Sequence, residues 1–151
     1  MKPLKIKIPN GYEVDSFDEK TGEIKFKETP KDVKERIKTI DDVLKDQGII
    51  MCDIDAMFEN VPEHLKWQYL AEILCKSLNE GWQPDWNDNS EYKYYPWFYM
   101  GGSLGFRYYG CADWDSFSDV GSRLCLKSSE LAEYAGKQFT DLYQKFMITN
   151  N

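Results

Sequence analysis

The chain is poor in the residues from which most catalytic and metal sites are built. It has one histidine, His64, in 151 residues. No Ser-His-Asp or Cys-His arrangement can be assembled without that imidazole, and a lone histidine at a helix start is ordinarily a solvated surface residue. The four cysteines, Cys52, Cys75, Cys111 and Cys125, are scattered, with no C-x-x-C pair. They offer no short-range ligand pair for zinc and no disulfide framework, so they read as reduced, mostly buried thiols. Basic charge is short as well. Against 26 Asp and Glu stand 19 Lys and Arg, a net charge of -7, which favours solubility and removes the footprint of a nucleic-acid binder. No apolar run approaches the roughly 20 residues of a membrane helix. The start, MKPLKIKIPNGYEV, has no apolar stretch of signal-peptide length.

Aromatic residues are what the chain has in plenty. Thirteen of its 23 Phe, Trp and Tyr residues fall between Trp82 and Phe117. Rings supply large buried areas and also make the best binding surfaces, so this block is either the densest part of the core or the working face.

The length suits one domain, 1–151. Lys5 to Ile8 and Glu23 to Lys27 alternate in polarity and predict two short antiparallel strands, a hairpin within 4–28 that turns at Thr21-Gly22. Tyr12, Val14 and Phe17 are expected to help bury one of its faces, the other being charged. Short helical pieces should occupy 30–48. One opens at Pro30; the other starts at Thr39, with Asp42 completing a capping box and Gly48 ending it. MCDIDAMFEN (51–60) reads as connector. An α+β core should then fill 61–147. A long helix from Pro62 to about Glu80 carries the stripe Leu65, Tyr69, Leu70, Ile73, Leu74 and Leu78. Glu91 to Met100 reads as a strand in which Pro96 marks an edge or a bulge. Gly105 to Tyr109 returns as a second, Cys111 to Gly121 is an Asp- and Ser-rich loop, and Ser122 to Lys127 is a third strand. Ser128 caps a last long helix with Leu131, Ala132, Ala135, Phe139, Leu142, Tyr143 and Phe146 inward. The expected class is α+β: an antiparallel sheet of about three to five strands packed by two long helices, with an N-terminal β-hairpin.

Several segments invite a chemical reading. Asp85, Asn87 and Asn89 place oxygens at alternate positions as a calcium loop does, but Ser90 stands where a glycine belongs and Pro96 where the closing glutamate belongs. Turn chemistry explains them, as it does Asp113, Asp115 and Asp119. GGSLG lacks the lysine and helix of a phosphate loop. Cys125 beside Arg123 and Lys127 could have a lowered thiol pKa, though alternation with Leu124 and Leu126 more simply makes it a small residue on the second sheet face. From Glu91 to Lys127, four basic residues face four acidic ones, so the electrostatic term of a nucleic-acid platform is missing. No metal or cofactor is expected.

The runs ERIKTIDDVL, LCKSLNEGWQPDWND, YYPWFYM and VGSRLCLKSSELAEYAGKQFTDLY, with the N-terminal IKIPNGYEV and TGEIKFK, resemble small proteins found repeatedly in phages and mobile elements of gut Bacteroidetes. The similarity spans almost the whole chain. It implies a phage or prophage accessory protein acting in the bacterial cytoplasm, and it brings no activity or assigned site.

The aromatic block has two readings. In one, a sheet covered on both sides, by the long helices and the hairpin, absorbs the rings as core. In the other, some of Tyr92, Tyr94, Trp97, Tyr99, Tyr108 and Tyr109 stand on an outer face that binds a partner. The second makes the chain a non-enzymatic interaction module, for a host or phage protein or for copies of itself. Its expected contact residues are Trp86, Tyr94, Trp97, Tyr99, Arg107, Tyr109, Trp114 and Arg123, with the loops 82–90 and 110–121. The alternative is a small-molecule binder sequestering a nucleotide-like ligand, for which a concave pocket enclosing Arg107 or Arg123 would be the sign. An enzyme would need a buried carboxylate pair, drawn from Asp113, Asp115 and Asp119.

Overall fold

The computed structural model describes residues 6–9, 11–29 and 32–148. The chain separates into two compact units, Met1–Arg36 and Ile37–Asn151.

The first unit is a β-hairpin followed by one helical turn. Strand β1 (Tyr12–Phe17) pairs antiparallel with β2 (Ile24–Glu28). The turn is built as its residues require: the Asp18 carboxylate accepts from the N–H of Lys20 and Thr21, and Gly22 takes φ 73°. Two expectations shift here. The first strand is Tyr12–Phe17, and Ile6 to Ile8 is not strand; Lys5 lies outside the described residues. Tyr12, Val14 and Phe17 do share a face with Ile24 and Phe26, but they are exposed. Two strands alone have no second layer to bury such a face. Helix α1 (Val33–Arg36) follows, and Pro30 lies outside the described residues.

The second unit holds the core. Helix α2 (Ile40–Gln47) begins with the expected capping box. Thr39 Oγ1 accepts from Asp42 N–H, and the Asp42 carboxylate accepts from Thr39 N–H. It ends on Gly48 in the left-handed conformation. The segment read as connector is in fact helix α3 (Met51–Met57), whose Ile54 is fully buried. Helix α4 (Glu63–Asn79) buries Leu70, Ile73, Leu74 and Leu78 as its stripe demands, although Leu65 at its start is exposed. Strand β3 (Lys93–Tyr99) pairs antiparallel with β4 (Arg107–Trp114), so the return strand runs five residues beyond Tyr109, into the expected loop.

The third strand is absent in that form. Gly121–Leu124 makes the short helix α5, and only Leu126 joins the sheet, through an isolated antiparallel bridge to Tyr94. On the side turned away from Tyr94, the buried Asn79 amide donates to Cys125 O (2.9 Å) and accepts from Lys127 N–H (3.0 Å). The last long helix is likewise two, α6 (Ser129–Gln138) and α7 (Thr140–Met147), broken at Phe139. The described residues therefore form a mixed α+β fold with seven helices and two small antiparallel two-stranded sheets. Helix α4 packs against α2 and α7, and α6 lies on β3 and β4. None of the helices is long and apolar enough to cross a membrane.

Candidate interaction surface

Register and packing assign the two faces of the β3–β4 hairpin. Phe98 pairs with Tyr108, and these side chains with Pro96 look toward the helices. Phe98 stacks on Phe106 and meets Tyr143 of α7, and α6 approaches so closely that Gly136 admits no side chain over Tyr108 and Pro96. Tyr99 pairs with Arg107 and looks the other way, as do Trp97, Tyr95 and Lys93 by alternation. A bulge opposite Trp97 inserts Tyr109 into β4 and turns its ring onto the same outer face. Trp114, the partner of Lys93, completes that face.

Five of the eight expected contact residues thus come together: Trp97, Tyr99, Arg107, Tyr109 and Trp114. Trp97 is 51% exposed and Tyr109 62%, with Tyr99 and Trp114 only slightly less so. Gly110 and Ala112, the β4 partners of Trp97 and Tyr95, are small, so the rings stand clear of the backbone beside them. The Tyr99 and Tyr109 rings meet edge to face at 4.8 Å. The Arg107 guanidinium lies 4.0 Å from the Tyr99 centroid and donates to Gly105 O. Among the described residues it is paired with no carboxylate.

The other end of the same face is roofed by the 82–92 loop, and this explains Trp86. Lys93 is 1% exposed. Its ammonium donates to the carbonyls of Asp85 (2.5 Å), Glu91 (2.6 Å) and Asp88 (3.3 Å), lies 3.4 Å from the Glu91 carboxylate, and sits under the Trp86 ring. The loop that resembles a calcium loop therefore turns its carbonyls onto a lysine. Its side-chain oxygens do turn chemistry: Asp85 accepts from Asn87 N–H, and Asp88 from the N–H and hydroxyl of Ser90. Trp86 is fixed by donation from its indole to Ser122 Oγ (2.7 Å) and is half-buried, so it is a lid on Lys93 first. Nothing in the sequence marked Lys93 or Asn79 for these roles, because one polar residue among strand rings or at a helix end has no pattern of its own. Two residues on, Tyr95 is buried on the same face. Burial, with the Asp119 carboxylate close by, pushes the Tyr95 hydroxyl pKa up to about 12.

The remaining expected residues fall elsewhere. Tyr94 is half-buried on the helix side and uses its backbone to hold Leu126. Arg123 projects from α5 with its side chain 81% exposed, 3.8 Å from Glu72 of α4. Cys125 does not alternate outward: both it and Leu126 are fully buried, and burial pushes the thiol up to about 11 rather than down. Asp113 and Asp119 are exposed and Asp115 is half-buried, so no buried carboxylate pair forms among them. No group of three or more potential metal ligands is gathered among the described residues. A groove of about 210 Å³ is lined by Lys38, Trp67, Gln138, Asp141 and Lys145, and neither Arg107 nor Arg123 reaches it. Its aromatic wall is already engaged by the Lys145 ammonium, 3.9 Å from the Trp67 centroid.

Compared with family models, with curated proteins and with solved structures, the chain matches none.

Proposed function

We propose that the chain is a non-enzymatic protein-interaction module, an accessory of a phage or mobile element that engages a host or phage protein in the bacterial cytoplasm. The observation that carries this is the exposed end of the outer face of β3–β4, where Trp97, Tyr99 and Tyr109 surround an arginine that pairs with no carboxylate among the described residues. Trp, Tyr and Arg are the types that dominate interface energetics, and rigid rings bind at small entropic cost. Arg107 is held in place by Tyr99, so it suits an acidic group on the partner. The phage or mobile-element setting rests on the sequence resemblance.

The test is recovery of partners from bacterial lysate with the wild type, Trp97→Ala and Tyr109→Ala as bait. One protein recovered in stoichiometric amount by the wild type and lost by both variants is the expected result. A protein held equally by all three would remove the outer face from the reading.

The groove at Trp67 supports a second reading, a binder of a nucleotide-like anion, since an indole and two lysines surround it. A nucleotide that co-purifies with the wild type and is lost by Trp67→Ala would favour it over protein binding.

A further inference from the structure

The bulge at Tyr109 interrupts the ladder along β4 and so guards its outer edge against an added strand. A partner of this hairpin therefore meets its face. Along β4 that face runs Tyr109, Gly110, Ala112 and Trp114, two rings with small residues between them, and Trp97 stands opposite Gly110. The rings also keep their polar atoms free. Three of the five tryptophans donate their indole N–H within the chain, Trp67 to Glu63, Trp82 to Glu91 and Trp86 to Ser122. The other two, Trp97 and Trp114, lie on the outer face. Among the described residues, neither indole N–H has a hydrogen-bond partner, and neither do the hydroxyls of Tyr99 and Tyr109.

Exposed rings with unused donors select a ligand rich in acceptors. A helix has bonded its carbonyls internally and would cover these donors without answering them. A polyproline II segment bonds none of its carbonyls internally, is held extended by its own rings, and loses little entropy on docking. Its pyrrolidine rings fit the gaps between aromatic side chains, here those over Gly110 and Ala112. Charge adds a direction. Arg107 lies at the turn end of the face, stacked on Tyr99 and paired with no carboxylate among the described residues. Resting on the proposed role of this face, we infer that it binds a proline-rich segment of a partner protein, with a carboxylate at the end lying against Arg107. The Tyr and Trp donors hold the segment's carbonyls, and Arg107 sets which way it runs.

Fluorescence anisotropy with three labelled peptides decides it: decaproline ending in two glutamates, decaproline ending in two lysines, and a glycine-serine chain of the same length ending in two glutamates. The glutamate decaproline should bind the wild type saturably, with a Kd below about 1 mM. The lysine form should bind about threefold more weakly, and Arg107→Ala should abolish that difference. Trp97→Ala and Tyr109→Ala should each weaken binding at least about tenfold. Trp97→Phe keeps a ring and removes the N–H, so it should weaken binding by less; it also carries the decision if Trp97→Ala fails to fold. A glycine-serine chain bound as well as decaproline overturns the inference, and so does decaproline binding indifferent to the ring variants. Failure of either decaproline to saturate overturns it too. If a lysate protein is nonetheless captured by the wild type and lost by Trp97→Ala and Tyr109→Ala, the face remains a working surface for a partner of another chemistry, and only the proline-rich assignment falls.

Discussion

Lys93 is a charged residue at the first position of a strand whose neighbours are mostly rings, and it is the best satisfied cation in the molecule's second unit. Taking an ammonium out of water costs several kcal/mol, so the position is tolerable only because three carbonyls, Glu91 and the Trp86 face surround it. Lys93→Met keeps the stem and removes the charge, which leaves those carbonyls to find water. The expected cost is about 2–4 kcal/mol in chemical denaturation, with the fluorescence of Trp86 shifting as its loop loosens. Lys93→Arg should not rescue it, because a flat fork cannot point at three carbonyls gathered around one nitrogen. The oxygen-rich pattern Asp85 to Asn89 was legible in the sequence as turn chemistry. The cation at the centre of that loop was not, since it arrives from the next strand and no local spacing links the two.

Elements whose signals are local were readable, and elements decided by distant side chains were not. The α2 capping box follows from Thr39, Asp42 and Gly48 alone. The backbone around Leu126 is fixed on its far side by Asn79, some 46 residues earlier in the chain, which no local spacing announces. The break between α6 and α7 falls at Phe139, where the periodicity of the apolar stripe runs on uninterrupted. Two predictions belong here. Burial pushes the Asp42 carboxyl up, but the N–H of Lys38 and the hydroxyl and N–H of Thr39 outweigh it, leaving the pKa below the ordinary aspartate value. A group depressed in the folded state contributes above its unfolded pKa of about 4, and that contribution is lost as pH falls through the folded value. Asp42→Ala should therefore cost about 1 kcal/mol at neutral pH, with the variant and wild type converging in urea titrations as the pH falls through the folded value. At Gly136, alanine would gain about 1 kcal/mol of helix propensity. Its Cβ would lie 2.4 Å from the Tyr108 ring and 2.8 Å from Pro96 Cβ, and overpacking of that kind costs about 1–3 kcal/mol. Gly136→Ala should be net destabilising, and Gly136→Val more so, by thermal melt.

At the scale of the whole molecule, the open question in the sequence was whether the aromatic block is core or surface. Tyr94 to Tyr99 puts bulky residues on both parities of one strand, so alternation alone could not assign a face. The structure divides them. Pro96 and Phe98 meet the helices and Tyr95 is roofed by loops, while Trp97 and Tyr99 stand outside. The core proper is aliphatic and helical, built on Leu70, Leu74 and Leu78 of α4 with Val43, Ala132 and Leu142 around them. That division makes a prediction in which stability and binding part company. Leu74 is fully buried, and Leu74→Ala should cost about 2–5 kcal/mol through lost transfer energy and the cavity left behind. Trp97, half of whose surface already meets water, should cost within about 1 kcal/mol on Trp97→Ala, because little packing is lost. If the outer face is the working surface, Trp97→Ala abolishes partner capture in a protein that still melts cooperatively near the wild-type temperature. A Trp97→Ala loss as large as that of Leu74→Ala would return the aromatic block to the core and leave the chain without its binding face.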